Sequence, residues 1–148
     1  MISALQPEFV DSIPKDPGEG ILYISRKYST AVHRCCCGCG QKVVTPLRPT
    51  DWKLTVRGDY VSLWPSIGNW SFPCRSHYWI VNNQIEWSYD MSQEMIEKGR
   101  RRDARMKDRY IKTGEVDPHW GRPVTKEPSD PPAGGKGWWW QLKKWLFG

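Results

Sequence analysis

Long apolar segments are missing from this chain of 148 residues. No stretch comes near the ~18 consecutive apolar residues that suggest a membrane-spanning helix. Residues 1–20 also lack the basic start and the uninterrupted apolar run of a secretory leader. We therefore expect a protein that is made and kept in the cytoplasm, where thiols stay reduced.

Cysteine is scarce and unevenly placed. The chain has five cysteines, an odd number, and four of them lie between Cys35 and Cys39. Neither feature suits a framework of disulfides, and disulfides are rare in a reducing compartment. The cluster instead indicates a metal site.

The length allows one ordinary domain, and ten tryptophans carry much of its apolar surface. Short β-prone runs separated by Gly, Pro and Asn fill the first ninety residues, and Asn82-Asn83 is typical of a tight hairpin turn. A composition that favours a helix follows them. We predict a mainly β fold with a C-terminal helix, built as a small zinc-stabilised β domain.

The composition divides the chain into four segments. Residues 1–90 are predicted to form the zinc-binding β domain. Residues 91–112 are predicted to form a basic helix, because they carry eight Lys or Arg against four Asp or Glu. Residues 113–137, rich in Pro and Gly, have the composition of a linker. Residues 138–148 are predicted to be a Trp-rich amphipathic tail.

Zinc is the metal that the cysteine cluster favours. Zinc prefers four tetrahedral nitrogen or sulfur ligands, and Gly38 lets the backbone turn sharply enough for its two neighbouring cysteines to reach one ion. The predicted ligands are Cys35, Cys37, Cys39 and Cys74. The alternatives for one of the four positions are His33, Cys36 and His77. A shell of four thiolates is closed, so this zinc would be structural; an iron–sulfur cluster is the less favoured alternative.

Five motifs occur in order along the first ninety residues: LYIS at 22–25, HRCCCGCG at 33–40, VVTPL at 43–47, VSLWPSIGNW at 61–70 and CRSHYWI at 74–80. Together, over about residues 8–90, they resemble a bacterial family whose genes often lie beside those of ubiquitin-like modifiers and their E1-like and E2-like enzymes. Cys36 departs from the family pattern at its position.

The resemblance implies a metal-binding β domain that works in a bacterial ubiquitin-like conjugation pathway of the kind linked to phage defence. It also implies a peptidase or esterase that acts on the modifier through a serine. The expected partners are then the ubiquitin-like modifier and its E1-like or E2-like enzymes.

A serine hydrolase needs a nucleophilic hydroxyl, a base within hydrogen-bond reach and donors aimed at the developing oxyanion. Ser66 is the predicted nucleophile, and it follows Pro65 on a predicted loop. The backbone N–H groups of Ile67 and Gly68 are the candidate oxyanion donors.

His77 is the predicted base, provided that it does not bind the metal, and His33 is the alternative. The candidate carboxylates that would orient the base are Glu86 and Asp90. The non-catalytic alternative for Ser66 is that it caps a turn, and Ser76 is expected to hydrogen-bond the zinc thiolates.

Two other functions compete with hydrolysis. In the first alternative, the chain is a non-catalytic zinc adaptor that holds the modifier or its E2-like enzyme. In the second, it is a nucleic-acid-binding protein that uses residues 98–112. The second alternative depends on charge alone, so nucleic acid is not the partner that we expect. For the tail at 138–148, docking on the β domain or on a protein partner is favoured over contact with a membrane.

Overall fold

Two four-stranded sheets and one helix form the part of the chain that the computed structural model describes, residues 1–118 and 120. The first sheet contains, in spatial order, β1 (Gln6–Phe9), β2 (Ile21–Ser25), β3 (Thr30–Arg34) and β4 (Lys42–Pro46). The second contains β5 (Lys53–Arg57), β6 (Tyr60–Gly68), β7 (His77–Val81) and β8 (Gln84–Trp87). Helix α1 (Gln93–Thr113) follows. The predicted mainly β class with a C-terminal helix is confirmed.

Hairpins make most of the connections within the sheets. β1 runs parallel to β2, and every other pair of neighbouring strands is antiparallel. The β7–β8 hairpin turns at Asn82 and Asn83, whose φ angles of 46° and 69° lie in the left-handed region that Asn tolerates. This turn is the one that the sequence predicts.

One hydrophobic core lies between the two sheets. Leu22 and Ile24 from the first sheet and Val61, Leu63 and Ile67 from the second belong to the same buried cluster. Because successive strand side chains point to opposite faces, the residues that alternate with these on β6 face away from the core. The outer face of the second sheet is therefore where β6 presents its polar side chains.

The N-terminal residues fasten the second sheet to the cysteine loop. The Leu5 N–H donates to the carbonyl oxygen of Asn83, and the Ile85 N–H donates to that of Ser3. The Ile2 N–H donates to the carbonyl oxygen of Cys36 over 2.8 Å. These bonds limit how far the cysteine loop can move relative to the second sheet.

Helix α1 begins at an N-cap, where the Ser92 hydroxyl accepts a hydrogen bond from the Met95 N–H, and it ends at Gly114. Its less exposed residues follow one face at helical spacing. They are Ile96, Gly99, Asp103, Met106 and Tyr110. None of the described helices is long and apolar enough to cross a membrane.

The predicted linker and tail fall mostly outside the described residues. Of the segment 113–137 the structure describes residues 113–118 and Trp120, and the segment 138–148 lies wholly outside.

Candidate active site and metal centre

Ser66 lies within strand β6, so the expected loop after Pro65 is wrong. Proline interrupts a ladder of backbone hydrogen bonds, and it is tolerated at strand edges and bulges. Both conditions apply here. The register between β6 and β7 shifts between Leu63 and Ile67, and β5 begins only at Lys53, opposite Trp64. The strand therefore continues through the proline.

Ser66 and His77 are brought together by neighbouring strands. The Oγ atom of Ser66 lies 2.9 Å from Nε2 of His77, and Nδ1 of His77 lies 2.8 Å from the carbonyl oxygen of Tyr89. A carbonyl only accepts, so in the neutral ring Nδ1 carries the proton and Nε2 has the free lone pair. The Ser66 hydroxyl then donates to Nε2. This is the arrangement of a nucleophile beside its general base.

Aromatic rings enclose His77 and leave Ser66 accessible. The ring centroids of Trp70 and Tyr89 lie 4.9 and 6.2 Å from that of His77, both edge to face. His77 is only 9% exposed, whereas Ser66 is half-buried. Gly68 lies opposite His77 in the register, and a Cβ atom there would clash with the Trp70 indole. This close approach explains the glycine.

The two predicted oxyanion donors differ in their surroundings. The Asn69 N–H donates to the carbonyl oxygen of Ser76, which fixes the alternation of bonds between β6 and β7 at this point. The alternation directs the Ile67 N–H towards β7 and the Gly68 N–H away from it. Gly68 therefore presents the amide that the β6–β7 ladder does not use.

Neither predicted carboxylate is hydrogen-bonded to His77. Glu86 lies opposite Trp79 in the β7–β8 register, and Asp90 forms an ion pair of 2.9 Å with Arg75. The third group of the site is the backbone carbonyl of Tyr89. Sequence reasoning missed it because a backbone acceptor leaves no signal in the side chains.

Four cysteine sulfurs meet where the loop after β3 approaches the loop between β6 and β7. They belong to Cys35, Cys37, Cys39 and Cys74, and all lie within 4.8 Å of one another. The distances are 3.4 Å for Cys35–Cys37, 3.9 Å for Cys35–Cys74 and 3.8 Å for Cys39–Cys74. Four sulfurs around one zinc would lie about 3.8 Å apart, given Zn–S bonds of about 2.3 Å. The cluster fits a metal ion.

The backbone of the cysteine loop has the shape that the sequence indicates. Gly38 has a φ angle of 91°, in the left-handed region that glycine adopts without a steric penalty. The Gly38 N–H donates to the carbonyl oxygen of Cys35, and the Cys39 N–H donates to the Cys37 sulfur. This tight turn directs three thiols to one point.

The three alternative ligands all have other partners or positions. Cys36 is fully buried in the hydrophobic core, where burial raises the pKa of its thiol to about 12. His33 is also fully buried; its Nε2 lies 2.7 Å from the Tyr78 hydroxyl, and burial lowers its pKa to about 4. His77 contacts Ser66. In residues 1–118 and 120 no other cluster of ligand-type side chains comes together.

Ser76 and Asn69 connect the cysteine cluster to the serine–histidine pair. The Ser76 hydroxyl lies 3.1 Å from the Cys35 sulfur and 3.5 Å from the Cys74 sulfur, and it accepts a hydrogen bond of 2.9 Å from the Asn69 side chain. These two residues close the loop 69–76, which joins the strand of Ser66 to the strand of His77. The loop that contributes Cys74 to the cluster therefore joins the two strands that carry Ser66 and His77.

The geometry defines a class: a small β protein in which a serine paired with a histidine lies beside a candidate four-thiolate metal centre. A family model matches residues 9–88, and the chain belongs to this family, described as bacterial ubiquitination-like system serine protease (BubE). The resemblance to a family linked to ubiquitin-like modifiers is thereby confirmed. A search of curated proteins and a search of solved structures each found no match.

The adjacent residues Cys36 and Cys37 allow a matched test of the ligand set. We expect Cys37→Ala to lower the metal content of the purified protein strongly, because its sulfur belongs to the cluster. Cys36→Ala should keep the metal at the wild-type ratio, because its thiol lies in the core. Elemental analysis by mass spectrometry measures both. Loss of metal from Cys36→Ala, with metal retained in Cys37→Ala, would contradict this assignment.

Proposed function

We propose that this chain is a serine hydrolase of a bacterial ubiquitin-like conjugation pathway. It cleaves a peptide or ester bond of the ubiquitin-like modifier, either to process the precursor or to release the modifier from conjugates. The contact of 2.9 Å between Ser66 Oγ and His77 Nε2 carries the proposal. The family description, which names a serine protease, supports it.

The chemistry begins with proton transfer from the Ser66 hydroxyl to Nε2 of His77. The Oγ atom attacks the substrate carbonyl, and the Gly68 N–H is the candidate donor to the oxyanion that develops. The protonated His77 then gives its proton to the leaving amine or alcohol, which leaves an acyl group on Ser66. Water, activated by the same histidine, hydrolyses this acyl group.

The Tyr89 carbonyl has the positioning role that a carboxylate has in many serine hydrolases. By accepting a 2.8 Å hydrogen bond from Nδ1–H, it selects the tautomer whose Nε2 is free to accept a hydrogen bond from Ser66. A neutral carbonyl stabilises the imidazolium less than a carboxylate would. The site therefore depends more on fixed geometry, which the rings of Trp70 and Tyr89 around His77 supply.

Zinc is the metal that we propose for the cysteine cluster, because four soft thiolates in a tetrahedral arrangement are a typical structural zinc site. When bound, the ion supplies a cross-link between two loops and has no open position for a substrate. The residues Cys74 and Ser76 would carry its effect to the loop that ends at His77.

The proposed partners follow from the pathway. They are the ubiquitin-like modifier and its E1-like or E2-like enzymes, and the proposed setting is the bacterial cytoplasm, in a system linked to phage defence. The family description supports a role in a ubiquitination-like system.

Ser66→Ala tests the nucleophile directly. We expect this variant to lower kcat/KM for cleavage of the modifier precursor by at least about 1,000-fold, because no other hydroxyl is hydrogen-bonded to His77 among the described residues. The matched control is Ser62→Ala, since Ser62 lies on the same strand with its hydroxyl near Asn82. This control should keep nearly full activity. Cleavage is measured by electrophoresis and mass spectrometry.

Two results would count against the hydrolase. Wild-type protein that binds the modifier yet cleaves neither precursor nor conjugate would favour the adaptor function. Equal loss of activity in Ser66→Ala and Ser62→Ala would place the nucleophile elsewhere.

The carbonyl acceptor on His77 leads to a second prediction. Glu86→Gln and Asp90→Asn should each retain activity within about 10-fold of wild type, because neither carboxylate contacts Nδ1. In a triad with an aspartate at this position, the same type of change lowers kcat by about 10,000-fold. Steady-state kinetics on the precursor measure both variants, and a loss of that size in either would identify a carboxylate as the orienting group.

A further inference from the structure

Two adjoining cavities lie away from the candidate active site, between α1, the residues that follow it and the loop before β5. Their volumes are about 230 and 420 Å³, and Val116 lines both of them. No residue of the cysteine cluster or of the serine–histidine pair lines either cavity. We call the two together the basic groove.

Positive charge dominates the lining of the basic groove. Its cationic residues are Arg26, Arg48, Lys53, Arg102, Arg105 and Arg109. Its acidic residues are Glu115 and Asp117, and Glu115 already lies 3.8 Å from Arg109. The three helical arginines project from the same side of α1, since they are spaced by three and four residues. An excess of cations so concentrated favours an anionic ligand.

The walls of the groove are held in place by an ion-paired carboxylate. Asp51, only 9% exposed, lies 3.3 Å from Arg48 in its own loop and 2.8 Å from Lys107 of α1. This pairing connects the loop before β5 to the helix. The loop and the helix that carry the cations are therefore held together, which reduces the ordering cost of binding a ligand between them.

Apolar side chains lie among the cations. Leu47, Pro49, Leu54 and Val116 line the larger cavity beside Arg48. Acidic side chains of a ligand would pair with the cations and apolar side chains would pack on these four residues, so a polypeptide that alternates the two types matches both features of the groove. A single-stranded nucleic acid would use the cations and the rings of Trp52 and Trp120, and would leave the aliphatic residues without a partner.

We propose that the basic groove binds an acidic, partly apolar segment of the protein on which Ser66 acts. The link to Ser66 rests on the proposed function, and it comes from the register: Lys53 in the groove pairs with Trp64, two residues before Ser66 on β6. A segment held in the groove would lie beside the strand that carries the nucleophile. The groove thus adds affinity and specificity for the partner at a distance from the bond that is cleaved.

The probe is a fluorescein-labelled octapeptide of alternating glutamate and leucine, and its control replaces every glutamate with glutamine. Binding to the full chain is measured by fluorescence anisotropy. The test variant is the double change Arg105→Glu and Arg109→Glu. The matched control is Arg100→Glu and Arg101→Glu, which alters the net charge equally on the same helix at exposed positions outside the groove.

We expect the groove variant to weaken binding of the glutamate peptide by at least about 10-fold and the control variant by less than about 3-fold. The glutamine peptide should bind at least about 10-fold more weakly than the glutamate peptide. Equal losses in the two double variants would overturn the proposal, because the effect would then be one of net charge. Tighter binding of a single-stranded oligonucleotide, lost in the groove variant, would overturn it in favour of nucleic acid.

Peptide binding in this experiment does not require Ser66. The same titration is therefore repeated with Ser66→Ala, which should bind the glutamate peptide with wild-type affinity. The cleavage assay then reports whether the chain is a hydrolase, and the peptide titration separately reports whether the groove binds an acidic segment.

Discussion

The convergence of four cysteine sulfurs is the constraint on which the position of the candidate active site depends. Three of them come from one turn beside the first sheet, and Cys74 comes from the loop that joins β6 to β7 in the second. That loop is only eight residues long, and its two ends lead directly to Gly68 and His77. An ion at the cluster would fix the loop at Cys74, and the Ser76 hydroxyl next to His77 already contacts two of the sulfurs. A small fold would gain a rigid site in this way.

Strands β6 and β7 direct alternate side chains to the hydrophobic core and to the candidate active site. Ile67 and Tyr78 point inwards, where the Tyr78 hydroxyl meets His33, whereas Ser66 and His77 lie on the outer face. The inward side chains thus fix the register that sets the contact between the outward ones. Ser66 is accessible because it is on a sheet face, and His77 is protected because two aromatic rings cover it. The exposure of Ser66 and the enclosure of His77 therefore both follow from the pairing of β6 with β7.

Sequence patterns predicted much of this arrangement and missed features that depend on the backbone. The hairpin at Asn82-Asn83 and the turn at Gly38 carry local signals that the structure matches. The continuation of β6 through Pro65 depends on where β5 begins, which no local pattern reports. The hydrogen bond between the Tyr89 carbonyl and His77 has no signature in the side chains. Cys36 is the same residue type as the neighbouring candidate ligands, and the direction of its Cα–Cβ bond in a tight turn places it in the core instead.

The claim that the cysteine cluster organises the serine–histidine pair is tested by the rate at which a fluorophosphonate probe labels Ser66. The rate is measured in metal-loaded protein, after removal of the metal by a chelator and after readdition of zinc, with far-UV circular dichroism recorded in parallel. We expect labelling to slow by at least about 10-fold without metal and to recover with zinc, while the β signal persists. A metal-free protein that labels at the original rate would contradict this claim.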